Sequence, residues 1–188
     1  MQASIGTSYS NSESDRQWVT RIHKGIDHYV FSRIARQTVG LIGRFDFAFT
    51  PNLSLQFYAQ PFVSSGSYSG FKQVADPKGE RYTDRFTSLK TESVNFGYEV
   101  DVNGDETPEL IRNPDFNFKQ FRSNVVLRWE YRLGSTLFVV WSQGRQHIDP
   151  IGEFNLGTDI GTLFDAPAEN VFMVKLNYWL NPHEVLQK

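Results

Sequence analysis

The residues whose types and spacing come closest to a chemical site lie between Asp101 and Glu106. Asp101, Asn103 and Asp105 place side-chain oxygens at alternate positions, which is how a calcium-binding loop begins. The segment then departs from the EF-hand pattern, because Glu106 stands where a glycine is expected and Arg112 where a bidentate glutamate is expected. Two interpretations stay open: a set of Ca²⁺ ligands, or an Asn-Gly turn between two short strands.

A second group of carboxylates could in principle hydrolyse a sugar. Paired carboxylates can protonate and attack a glycosidic bond, and one long polar segment contains Asp76, Glu80, Asp84, Glu99 and Asp115. Any loop so rich in charge offers such pairs, however. The chain has no cysteine, which excludes a thiolate nucleophile and a cysteine metal site. We predict that the chain is not an enzyme and holds no cofactor beyond the Ca²⁺ considered above.

Composition restricts the partners. The chain has 19 Lys and Arg against 21 Asp and Glu, a net charge of −2, which argues against nucleic acid. Its mean hydropathy is −0.43, and no apolar run is long enough for a membrane-spanning helix. Aromatic residues make up 15%. These rings must lie in a core, at an interface or in lipid.

Alternation of apolar and polar residues with a period of two dominates the chain and predicts strands. Residues 39–49 and 53–59 form a predicted hairpin across the turn Thr50–Asn52, and 121–131 with 136–145 form a second one. The last strand is predicted at 171–180. A weaker pair is predicted at 3–9 and 16–22, around a polar turn at Ser10–Asp15. The total is seven spanning strands.

The predicted connections differ sharply in length. Short turns lie near residues 11–15, 51–52 and 133–134, whereas long loops cover about 23–36, 64–115 and 147–169. Short turns at one end and long loops at the other are typical of outer-membrane barrels. We therefore predict one all-β domain over 1–188, an antiparallel up-and-down outer-membrane-type β-barrel with short periplasmic turns and long extracellular loops. Because such barrels normally have even strand numbers, and because the first residues lack a secretory signal, we expect a C-terminal part of a larger barrel.

The two faces of the predicted strands assign candidate roles. In a membrane barrel the apolar face meets lipid and the polar face lines the lumen, whereas in a soluble sandwich the apolar face is inside. The predicted lumen-facing residues are Arg44, Asp46, Gln56, Tyr58, Arg128, Glu130 and Lys175. Rings near the strand ends are typical of interfacial girdles. The predicted girdle consists of Phe47, Phe49, Trp129, Tyr131, Tyr178, Trp179 and Trp141.

Three segments together resemble a known family: TPNLSLQFYAQPFVSSGSYSGFK from Thr50, NPDFNFKQFRSNVVLRWEYRLGSTLFVVWSQGR from Asn113, and ENVFMVKLNYWL from Glu169. They resemble the C-terminal barrel region of the Gram-negative bacterial proteins classed under domain of unknown function 5916. The resemblance implies a barrel-like region preceded by a carbohydrate-binding family 9-like module. It implies no reaction and no catalytic residue.

These observations together predict a non-enzymatic outer-membrane β-barrel segment of a larger cell-envelope protein. Its expected partners are outer-membrane lipid and the barrel-assembly machinery, with glycans contacted through the loops or through the upstream module that the resemblance implies. The alternative is a soluble secreted β-sandwich that binds glycans through loop aromatics.

Overall fold

The computed structural model describes residues 1–180, which form ten β-strands and two helices. The strands are β1 (Gln2–Lys24), β2 (Ile26–Thr50), β3 (Leu53–Val74), β4 (Phe86–Ser88), β5 (Thr91–Val94), β6 (Gly97–Val100), β7 (Glu109–Arg112), β8 (Phe116–Arg132), β9 (Ser135–Asp149) and β10 (Glu169–Asn177). The helices are α1 (Tyr82–Arg85) and α2 (Leu156–Asp165). The predicted domain limit at residue 188 lies outside the described residues.

Six long strands form one antiparallel meander in the order β1-β2-β3-β8-β9-β10, and β4 adds to β3. A second, three-stranded sheet has the order β5-β6-β7. The prediction of an all-β antiparallel architecture is confirmed. Within residues 1–180 the main sheet does not close on itself, because the outer edges of β1 and β10 have no partner strand there.

The first predicted hairpin is wrong, since residues 3–9 and 16–22 belong to the single strand β1. Its polar segment Ser10–Asp15 pairs with β2 in register, Ser10 opposite Thr38 and Ser14 opposite Ile34. Backbone hydrogen bonds form regardless of side-chain polarity, so a polar run can continue a strand where a neighbouring strand is available. The number of long strands is therefore six and not seven.

The predicted loop at 23–36 is also wrong. β1 and β2 are joined by Gly25 alone, whose φ of 74° is a left-handed conformation that glycine adopts without strain. Lys24 pairs with Ile26 directly beside it. The turns at 51–52 and 133–134 are confirmed.

The remaining two long connections are shorter than predicted. β3 continues to Val74 and β9 to Asp149, so the connections cover 75–115 and 150–168. The first contains α1 and β4 to β7, and the second contains α2. No helix within the described part of the chain is long and apolar enough to cross a membrane.

The long-loop end of the main sheet is covered on both sides. The β5-β6-β7 sheet packs on β2 and β3 through a core of Val30, Phe71, Val100, Val102 and Ile111. On the opposite side, α2 contacts β3, β8 and β9. Within residues 1–180, the short-turn half of the same sheet has no such cover.

Candidate functional site

The candidate site is the uncovered half of the main sheet, whose two faces differ in chemistry. Residues directly opposite each other in an antiparallel ladder share a face. Arg44 pairs with Tyr58, Asp46 with Gln56, and Arg128 with Phe138, which pairs with Lys175. By this register all seven predicted lumen residues lie on one face, which we call the polar face.

The side-chain contacts on the polar face join residues of the same strand or of two neighbouring strands. The Arg44 guanidinium lies 5.6 Å from the centre of the Tyr58 ring, and the Tyr58 hydroxyl donates to Gln60 at 2.7 Å. Arg128 pairs with Glu130 on its own strand, at 3.1 Å between Nη2 and Oε2. Cross-strand ion pairs between Arg44, Asp46 or Lys175 and their neighbours are not formed among residues 1–180. The polar face therefore keeps charged groups available to solvent or a ligand.

Two recesses open on the polar face. One of about 200 Å³ is bordered by Arg44, Asp46, Gln56, Tyr58 and Asn124. Nearer the long-loop end, a recess of about 410 Å³ is bordered by residues that include Gln120, Arg122, Gln146 and Glu169. Sequence reasoning did not select this second set, because Lys119 and Ser123 flank Gln120 and Arg122 on β8 and weaken the alternation there. Amides and guanidinium groups can bind polar solutes by hydrogen bonds.

The other face carries a continuous apolar band. A row of paired residues crosses all six long strands: Ala3, Phe45, Phe57, Val125, Trp141 and Phe172. Much of the band is exposed, with Phe57 at 41%, Trp129 at 47% and Phe172 at 73%. Exposed apolar surface of this extent marks contact with a partner or with a membrane.

Aromatic residues lie at both margins of the apolar band. Near the short turns, the rings of Phe47 and Phe49 are 4.6 Å apart and those of Trp129 and Tyr131 are 6.0 Å apart. Tyr178 and Trp179 follow β10 at this end, where the backbone N–H of Trp179 donates to the Ser135 hydroxyl at 2.9 Å. Toward the long-loop end, Trp141 stacks on Phe172 at 6.0 Å. The predicted girdle residues thus form two groups along the strands.

The margin of the apolar band that lies nearer the long loops, its upper margin, is slanted relative to the rows of paired residues. On β10 it ends at Phe172, whose row reaches β1 at Ala3, but on β1 the apolar positions continue to Tyr9. The displacement is 9 − 3 = 6 residues over five strand-to-strand steps. With about 3.3 Å per residue and about 4.8 Å between strands, this corresponds to strands tilted by about 40° from the normal to the band.

The small sheet lies on the same side as the polar face. Successive side chains of β2 point to alternate sides of the sheet from Val30 to Asp46. The β-bulges in its pairing with β1 and with β3 place the extra residue on the neighbouring strand and not on β2. Val30 therefore points to the same side as Arg44, and Val30 belongs to the core beneath the small sheet. The β5-β6-β7 sheet consequently covers the long-loop end of the polar face.

A lysine clamp holds this small sheet to the tip of the β1-β2 hairpin. Lys24 Nζ donates to Asp105 Oδ1 at 3.1 Å and to the Thr107 hydroxyl at 2.6 Å, and it lies 3.6 Å from Glu109. Hydrogen bonds from Thr107 and Asn103, together with the Lys24 ammonium, hold the pKa of Asp105 well below its usual range. A protein cation thus already occupies one side of the loop considered for Ca²⁺.

The rest of the candidate Ca²⁺ loop has the geometry of a tight turn. Asp101 Oδ1 accepts hydrogen bonds from the backbone of Asn103 at 3.2 Å and Gly104 at 2.7 Å, and Gly104 has a φ of 78°. Nowhere in 1–180 do three or more His, Asp or Glu side chains gather as metal ligands. Asn103 donates its amide to Asp105 at 2.9 Å. The carboxylate oxygens of Asp101 and Asp105 therefore accept hydrogen bonds from within the turn itself.

A buried polar cluster fixes α2 to the opposite side of the sheet. Lys119 is 2% exposed, contacts Asp149 in a short ion pair and lies 3.5 Å from Asp159. Asn117 donates to Asp159 at 2.8 Å. The hydrogen bond from Lys119 lowers the pKa of Asp149. Sequence reasoning missed this cluster because its partners are far apart in the chain.

Comparison with known proteins gives a single family. A family model described as "Domain of unknown function (DUF5916)" matches residues 1–188. No curated protein and no solved structure matches the chain significantly.

Proposed function

The chain belongs to the domain of unknown function 5916 family, and from that premise we propose that it forms wall strands of an outer-membrane β-barrel. In this proposal the apolar band contacts lipid and the polar face lines the interior. The function is non-enzymatic. The free edges of β1 and β10 pair with further strands in the assembled barrel.

The observation on which the proposal rests is the uncovered apolar band. A soluble sheet buries its apolar face against a second layer, but the covering elements in the described part of this chain lie at the long-loop end. In water, each exposed Å² of apolar surface costs about 25 cal/mol. Acyl chains would make a band of this width favourable along six neighbouring strands.

The dimensions of the band support the same proposal. The slant gives a strand tilt of about 40°, within the 35–45° of membrane barrels. On β2 the apolar positions run from Val39 to Phe49, ten steps or about 33 Å along the strand. Projected through that tilt, the height is about 25 Å, which is the apolar height of outer-membrane barrels.

The polar face suggests what the interior does. Arg44, Asp46 and Lys175 have no ion-pair partner within residues 1–180, so they remain available to hydrate the interior or to bind a polar solute. The small sheet lies over the long-loop end of this face and would narrow the opening. A link to glycan binding or uptake, through the loops or an upstream carbohydrate-binding module, is part of the proposal.

Flotation with phosphatidylcholine vesicles tests the proposal in the full chain, meaning this sequence together with the strands that pair with β1 and β10. We expect the folded chain to float with the vesicles and to resist alkaline carbonate extraction. Two neighbouring variants provide the matched comparison: Val125→Arg puts a charge on the apolar band and costs about 2–4 kcal/mol of stability in the membrane, whereas Asn124→Arg puts it on the polar face and costs little.

A chain that stays monodisperse in plain buffer and does not float contradicts the proposal. That result is the one expected of the alternative, a soluble glycan-binding β-sandwich.

A further inference from the structure

Helix α2 carries a row of apolar side chains next to the side that is buried against the sheet. Leu156 is 46% exposed and Phe164 is 45% exposed, and half-buried Ile160 lies midway between them. Residues four apart lie above one another on one side of a helix. The three side chains therefore form a single row along α2.

A different side of the same helix makes the contact with the protein. Leu163 is completely buried and Asp159 is 4% exposed. The Asn155 side chain caps the helix by accepting from the Thr158 N–H at 3.2 Å. The cap, the Lys119 cluster and Leu163 therefore fix the orientation of α2 and leave Leu156 and Phe164 about half exposed.

The C-terminal end of α2 continues the apolar band. The Phe164 ring lies 5.1 Å from the ring of Phe121, which is the last apolar position of the band on β8 before the buried Lys119. The Arg145 guanidinium donates to the backbone carbonyls of Phe164 and Ala166, the latter at 2.8 Å, and lies 5.9 Å from the Phe164 ring. Phe164 is thus held at the upper margin of the band.

We propose that α2 is an interfacial helix whose C-terminal end, at Phe164, enters the surface of the same lipid bilayer. This inference rests on the proposed function, because it places lipid against the apolar band beneath Phe164. The occupant is the headgroup region of the bilayer, which the Phe164 ring enters beside the Arg145 guanidinium.

The helix geometry predicts how deep each residue lies. The helix runs along β8, since Asp159 contacts Asn117 and Phe164 contacts Phe121, so it shares the strand tilt of about 40°. At 1.5 Å per residue, Leu156 then lies about 9 Å and Ile160 about 5 Å farther from the bilayer than Phe164. The headgroup region is about 5–8 Å thick on each side of the hydrocarbon. Phe164 therefore lies at headgroup level, Ile160 at its outer limit and Leu156 in water.

Spin labels on single cysteines test this arrangement, because the chain has no cysteine of its own. The full chain is reconstituted in dioleoylphosphatidylcholine vesicles with a nitroxide at Phe164→Cys, Ile160→Cys, Asp165→Cys or Val125→Cys. Asp165 is the matched control, since it is exposed, adjacent to Phe164 and on another side of the helix. The measurement is the ratio of relaxation by O₂, which concentrates in lipid, to relaxation by a water-soluble nickel complex.

We expect a ratio at 164 severalfold above that at 165, an intermediate ratio at 160 and the highest ratio at 125. Equal ratios at 160, 164 and 165 with a high ratio at 125 would overturn the interfacial helix while leaving the barrel proposal intact. A water-like ratio at 125 would overturn the proposed function and the inference together. The label at Ile160 keeps the test decisive if removal of the Phe164 ring loosens the end of α2.

Discussion

Among single residues, Lys119 shows most clearly how the long-loop end is held together. Its side chain is 3% exposed and lies against two carboxylates, Asp149 and Asp159. A buried charge without its partner is strongly unfavourable, whereas the pair itself is tolerated. The stability of α2 should therefore depend on this lysine more than on any surface ion pair of the chain.

Replacing Lys119 by Met should loosen α2. The change leaves Asp159 buried without its cation, which costs about 3–5 kcal/mol. Hydrogen exchange at the Leu163 amide should accelerate more than a hundredfold. Lys90→Met, at an exposed position, serves as the control and should leave this exchange unchanged. Unchanged protection in Lys119→Met would show that the cluster does not anchor the helix.

Asp105 should make the Lys24 clamp sensitive to acid. Hydrogen bonds from Thr107, Asn103 and Lys24 lower its pKa in the folded chain. A carboxylate whose folded pKa is lowered contributes stability above its unfolded pKa of about 4, and this stability is lost as pH falls through the folded value. The clamp is therefore complete at neutral pH and weakens progressively below about pH 4.

Protease cleavage within residues 101–108 measures this effect. Cleavage of the native chain should rise as pH falls below about 4, when an acid-active protease is used. In Asp105→Asn, cleavage should already be high at neutral pH and should change little with pH. A native chain whose cleavage does not depend on pH would exclude the clamp as a titrating contact.

At the scale of elements, the sequence predicts strands well where only one face is apolar. Residues 39–49 and 53–59 alternate strictly, and both lie in β2 and β3 as predicted. The errors fall where the alternation stops. Ser10–Asp15 is polar on both sides of β1, and Val30, within 26–36, is buried by Val100, Val102 and Ile111, which are distant in sequence.

The candidate site, too, is predictable from the sequence only where the period-two pattern of a strand determines it. The register places all seven predicted polar-face residues on one side, because a period of two fixes the side of every position in a strand. The recess bordered by Arg122 and Glu169, and the Lys119 cluster, depend on connections that return to the sheet after many residues. The period-two pattern of a strand does not predict which distant segments return to pack on it.

Two glycines distinguish tight from open backbone. A Cβ at Gly97 would lie 1.9 Å from the carbonyl oxygen of Ile111, whereas a Cβ at Gly161 in α2 has no neighbour within 4 Å. Gly97→Ala should separate β6 from β7, with loss of amide protection in residues 97–112.

Gly161→Ala should stabilise α2 by about 1 kcal/mol, because alanine is the better helix former.

The same amide-exchange measurement checks both variants. Protection of β6 and β7 that survives Gly97→Ala would contradict the close packing of these strands. Faster exchange within α2 on Gly161→Ala would contradict the open environment of that position.

For the whole molecule, the main sheet divides into two regions with different surroundings. The long-loop half is covered by the β5-β6-β7 sheet on one side and by α2 on the other. The short-turn half has neither cover. We propose that the boundary between the two halves is the surface of the membrane, which accounts for the position of the aromatic residues and for the slant of the band.

The lipid exposure of successive residues on β8 tests the central claim most directly. Nitroxide labels at single cysteines from Asn124 to Trp129, in the full chain in phosphatidylcholine vesicles, report lipid or water at each position. Val125, Leu127 and Trp129 should be exposed to lipid, and Asn124, Val126 and Arg128 to water. Val126 is decisive because it is apolar but lies on the polar face. A water-like signal at Val125 with a buried or lipid-like signal at Val126, or no alternation at all, would contradict the account.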